Sequence, residues 1–127
     1  MPNPTHRTRL AAITQIALAC YWLAMFVSTH VSGDIVPPPF PFADKIIHLV
    51  AHAVLAALLA TTWQVSAGYL TARHLIWVWV IVALYALLDE WTQTFVGRQA
   101  SALDWLADAA GAVLGLILFA RLRRANA

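Results

Sequence analysis

Charge is scarce in this chain. Of its 127 residues only 11% are charged while 61% are hydrophobic, and the mean hydropathy is +0.71, whereas ordinary soluble domains carry roughly 25% charged residues. A charged, water-facing surface is therefore excluded, and the chain reads as an integral membrane protein. The bases lie mostly toward the chain ends, as topology signals do, so the pI near 9.1 points to no nucleic-acid partner. Cysteine is nearly absent. Cys20, alone and inside an apolar run, excludes an intrachain disulfide and a multi-thiolate metal site, and reads as a packing residue. Repeats are also missing, which leaves one domain over residues 1–127 as the simplest organisation.

What is present is a set of apolar runs of about the ~20 residues that cross a bilayer. They predict helices at about 10–28, 45–64, 75–95 and 101–122. The first, preceded by Arg7 and Arg9, shares features with a signal peptide, but no small-x-small cleavage site follows Met25 to His30, so a retained helix is preferred. Between the first and second runs, Pro37 to Pro39 with Phe40, Pro41 and Phe42 excludes regular helix and predicts a loop resting its two Phe rings in the interface. Ser101 and Asp104 form an [ST]-x-x-[DE] helix start. The expected fold is thus all-α, an integral membrane four-helix bundle. Lys and Arg number six on the side of both termini (Arg7, Arg9, Arg73, Arg121, Arg123, Arg124) against Lys45 and Arg98 on the other, which predicts cytoplasmic termini. Gly111 and Gly115 make a small-residue stripe for close helix approach.

The few charges are not placed at random. At ~1.5 Å per residue, Glu90 lies about 22 Å along the third helix, near the outer edge of a ~30 Å core, at the level of His48 and His52 on the second helix and Asp104 and Asp108 on the fourth. Asp44, His48 and His52 are spaced i, i+4, i+8, and so are Tyr85, Asp89 and Gln93. Five acids (Asp44, Asp89, Glu90, Asp104, Asp108) would then face two fixed cations (Lys45, Arg98). Either acids are protonated, or the histidines are charged, or a cation binds. Intramembrane charges default to a functional site.

These motifs resemble those of the VanZ-like family of small bacterial membrane proteins. The resemblance rests on D-K-x-x-H (Asp44, Lys45, His48), D-E-x-x-Q-x-F (Asp89, Glu90, Gln93, Phe95), R-x-x-S-x-x-D (Arg98, Ser101, Asp104) and G-x-x-x-G (Gly111, Gly115), and it covers about residues 44–115. It implies a cell-envelope location and an association with resistance to teicoplanin, a lipoglycopeptide acting on cell-wall precursors. Two positions depart from the pattern: His52 stands where the family often has Tyr, and Asp108 where it often has Asn.

The reading that follows is an outer-leaflet polar pocket acting on a lipid-linked or other envelope substrate. Glu90, Asp89, His48 and Asp104 are its candidate acid–base residues, and Arg98, Lys45, Gln93, Asp108 and Asp44 its substrate-binding residues. No cofactor is identifiable and no metal is assigned; His48 and His52 with a carboxylate would be the ligands if zinc bound. A purely structural network would have Arg98 bridging Glu90 and Asp104, and one histidine paired with Asp44. Two other readings stand beside the enzyme: a binding or shielding protein using the Pro-rich loop, and a structural partner in a membrane complex. His6, His30 and His74 receive no role.

Overall fold

The computed structural model describes residues 4–31 and 40–125. Four helices follow one another: α1 (Pro4–His30), α2 (Ala43–Ala67), α3 (Ala72–Gln93) and α4 (Ala102–Ala125), with a 3-10 turn at Thr94–Val96 after α3. All four are long and apolar enough to cross a membrane, and no strand occurs among the described residues. Pro37 to Pro39 lie outside the described residues.

Each helix is longer than its apolar run, for local reasons. Among the described residues α1 already runs from Pro4, ahead of the apolar run. α3 starts at Ala72, three residues before the run, because His74 accepts the Thr71 N–H through Nδ1 at 3.0 Å. This gives a capping role to a histidine that hydropathy leaves unassigned. α2 ends at Gly68, whose φ of 82° is the left-handed conformation of a helix stop, with its N–H on the Gln64 carbonyl at 2.9 Å. Gly97, at φ 83°, turns the chain out of the 3-10 segment toward α4.

Lipid-facing positions carry the expected side chains, among them Ile13, Ile16 and Leu23 on α1, Ile46 and Ile47 on α2, Leu84 and Leu87 on α3, and Leu114 and Leu118 on α4. Cys20 is on this exposed surface as well, so its side chain is not part of the core. Inside, the bundle is filled largely by small residues: Ala56, Ala60, Ala86 and Ala112 are fully buried beside Leu55, Val78 and Val82. Small residues let helix backbones approach closely where lipid supplies no hydrophobic drive.

The closest approach is between α2 and α4. A Cβ added at Gly111 would lie 2.1 Å from the Leu49 carbonyl oxygen, and one at Gly115 would lie 2.1 Å from that of Ala53. The glycine stripe is thus consumed within the chain. α3 is tied to α4 by two indoles, Trp79 donating to the Ala109 carbonyl at 3.2 Å and Trp105 to that of Ala83 at 3.1 Å. α1 packs Met25, Leu18 and Trp22 on the core and adds polar ties: Tyr21 donates to the Ala51 carbonyl at 2.9 Å, and Arg7 to the Val65 and Ser66 carbonyls at 3.2 and 3.0 Å, at the negative end of the α2 dipole.

Gly111→Ala forces a Cβ against backbone and is expected to destabilise the bundle by about 1–3 kcal/mol. Val113→Ala, on the exposed face, should change stability by less than about 0.5 kcal/mol. Reversible unfolding in detergent micelles compares the two, and equal effects would contradict the α2–α4 contact.

Candidate functional site

The polar residues gather at the end of the bundle opposite the described chain termini, near the start of α2, the end of α3 and the start of α4. Two networks form there. In the first, His48 Nδ1 donates to Asp108 Oδ1 at 2.9 Å, and the same oxygen receives His52 Nδ1 at 2.7 Å. His52 Nδ1 also lies 3.1 Å from the His48 carbonyl. An atom facing two oxygen acceptors must carry the proton, which fixes the His52 tautomer. Its Nε2 is buried without a hydrogen-bond partner.

Around this pair lie Glu90 and Asp104. Glu90 is buried and accepts the Ser101 N–H through Oε2 at 2.7 Å. Ser101 Oγ in turn accepts the Asp104 N–H at 3.2 Å, as the helix-start pattern requires, so the loop that ends at Ser101 fixes both acids at once. Lys45 sits between Asp44, at 2.7 Å, and Asp104, with which it forms a closer ion pair. A ring nitrogen of His48 and carboxylate oxygens of Glu90 and Asp104 all lie within 4.8 Å of one another.

The second network surrounds Asp89, which is 2% exposed. Its carboxylate accepts Gln93 Nε2 at 2.7 Å, the Tyr85 hydroxyl at 3.3 Å and the Thr29 hydroxyl at 3.1 Å. His30 Nδ1 is 3.8 Å away and donates to the Phe26 carbonyl at 2.8 Å, while its Nε2 lies 3.0 Å from Thr92 Oγ1. Thr29 and His30 are the residues that the sequence pattern missed. They end α1, where an apolar run stops, and carry no spacing signal. The Tyr85 ring, 6.1 Å from that of His52, stands between the two networks.

Two placements expected from the helix faces, and the links of the purely structural network, come out differently. Asp44 does not line the polar centre: its side chain is 49% exposed and forms its ion pair with Lys45, and His48 pairs with Asp108 instead. Arg98 does not bridge Glu90 and Asp104; it donates to the Thr29 carbonyl at 3.0 Å, closing the α3–α4 loop over the end of α1. Asp89 and Gln93 are bonded to each other in the second network, apart from His48, Glu90, Asp104 and Asp108 in the first. Four carboxylates (Asp89, Glu90, Asp104, Asp108) therefore remain inside, with the Lys45 ammonium the fixed cation that reaches them through an ion pair.

A family model described as VanZ/LLP1 matches residues 4–123. The chain belongs to the VanZ/LLP1 family. No curated protein and no solved structure matches the chain. Family membership thus spans nearly all of the described bundle, including α1.

Asp89→Ala leaves the Thr29, Tyr85 and Gln93 donors without their acceptor and is expected to destabilise the fold by several kcal/mol, at roughly 1–3 kcal/mol for each buried group left unpaired. Asp44→Ala, at an exposed position, should cost less than about 1 kcal/mol. Thermal unfolding of both variants in the same detergent checks the ranking, and a larger loss for Asp44→Ala would contradict the placement of both acids.

Proposed function

We propose that this VanZ/LLP1 protein is a bacterial inner-membrane enzyme that uses the polar centre in acid–base chemistry on an amphiphilic, lipid-linked envelope substrate, with both termini cytoplasmic. The observation that carries this reading is the convergence of His48, Glu90, Asp104 and Asp108 from three helices. With Nδ1 held by Asp108, His48 is left with Nε2 as a proton acceptor, the arrangement by which a carboxylate fixes a histidine's tautomer for catalysis. Glu90 supplies a second titratable group within reach of it. Anchoring of a phosphate or carboxylate falls to Arg98 rather than Lys45, whose ammonium is already engaged by two acids. Asp89 and Gln93 support the reaction indirectly, by holding α1 against α3.

A second reading is favoured by Phe40 and Phe42, which are exposed just before α2. Two uncovered rings beside the polar centre suit a non-catalytic protein that engages or shields a lipoglycopeptide or its cell-wall target, which would connect it to teicoplanin resistance. The structural-partner reading loses its motivation, because Gly111 and Gly115 are occupied within the chain.

Mass spectrometry of envelope lipids and lipid-linked precursors separates the two. In cells producing wild type, Glu90→Gln or His48→Ala at equal membrane abundance, at least one species should change with the wild type, and the variants should lose about 100-fold or more of that turnover. Variants that act like the wild type would defeat the enzymatic reading. If instead replacing Phe40 and Phe42 with Ser abolishes a resistance phenotype that Glu90→Gln spares, the shielding reading is the correct one.

A further inference from the structure

We propose that His48, Glu90 and Asp104 form a binding site for one divalent transition-metal ion, Mn2+ or Zn2+. One imidazole nitrogen and two carboxylate oxygens from three different helices lie within 4.8 Å of one another, so ligands of one ion, about 3.3 Å apart, require these side chains to draw together on binding. The donor set suits these ions: imidazole favours Zn2+ and carboxylates favour Mn2+.

Two neighbours complete the arrangement. Asp108 accepts the Nδ1–H of His48, as the outer carboxylate of a metal-bound histidine does, and so directs Nε2 to the ion. Lys45 supplies the counter-charge while the ion is absent. It already contacts Asp44 on the exposed side as well as Asp104 on the inner one. An arriving cation therefore displaces it from Asp104 without leaving it unpaired.

The same group of side chains offers a rival site at His48, His52 and Asp108. Its geometry disfavours an ion. Two ligands of one tetrahedral Zn2+ at ~2.0–2.1 Å stand about 3.3 Å apart, whereas Asp108 Oδ1 is 2.9 and 2.7 Å from the two Nδ1 atoms. Those are hydrogen-bond lengths, and His52 Nδ1 already carries a proton toward the His48 carbonyl.

The site shares its residues with the proposed catalytic centre and rests on that reading for any role in turnover, but binding is measured without substrate. Purified full-length protein in nanodiscs would be titrated with Mn2+, followed by the loss of the free-ion electron paramagnetic resonance signal, and then with Zn2+ as competitor. One saturable site per chain is expected, displaced by Zn2+. Glu90→Gln and Asp104→Asn, with helicity unchanged by circular dichroism, should weaken it at least tenfold, and His52→Asn should leave it in place. Lys45→Met should tighten it, because the competing ammonium is gone, and this variant decides the matter even if the acid variants fail to fold.

No saturable Mn2+ or Zn2+ binding in either wild type or Lys45→Met would overturn the proposal. So would binding that survives Glu90→Gln but is lost in His52→Asn. A protein that binds the ion yet changes no envelope lipid would sink the enzymatic reading alone, and lipid turnover by metal-free protein that binds no ion would sink the metal site alone.

Discussion

The contact between α2 and α4 sets the positions of nearly everything else. Gly111 lies against the Leu49 carbonyl and Gly115 against that of Ala53, and the residues just before those carbonyls are His48 and His52. One turn before Gly111 is Asp108. The backbone approach that only glycine permits therefore brings two imidazoles to one carboxylate oxygen. A larger residue at either glycine would widen the gap on the scale of a methyl group, which is also the scale of a hydrogen bond. Packing and chemistry share a single constraint here.

A second constraint is the cost of charge in a low-dielectric bundle. Removing a carboxylate from water is expensive and is offset only by close donors or opposite charge. Asp89 meets this with neutral donors from α1 and α3, and Asp108 with the His48 ring N–H and the close His52 imidazole. Glu90 uses a backbone amide at the entrance to α4 and Asp104 an ammonium. These different solutions separate the acids chemically. Asp89 is enclosed by groups that fix it in place, whereas Glu90 and Asp104 retain the capacity to exchange partners.

The helices and the level of the polar residues were legible in the sequence because apolar length and rise per residue determine both. The membership of the site was legible only in part. Successive steps of four residues drift by about 40° around a helix, so Asp44, two steps from His52, has rotated out to the exposed surface while His48 has not. The partner of Arg98 could not be read, since a loop residue's direction depends on the turn at Gly97 and on where α1 ends. Thr29 and His30 were invisible for the complementary reason: they act through a tertiary contact with α3, and nothing in their local spacing marks it.

α1 buries 6% of its most apolar window, against 33% for each of the other three helices; Met25, with Leu18 and Trp22 beside it, is its share of the core, and hydrogen bonds at its two ends and at Tyr21 add to that hold. In a bilayer, lipid tails replace apolar contacts at almost no cost, so a helix held this way separates more easily than one locked by interdigitated backbone. Parting α1 from α3 opens the bundle sideways at Asp89, level with the polar centre. On the proposed reading, an amphiphilic substrate entering between α1 and α3 would pass its headgroup by Thr29 while its tail stayed in lipid.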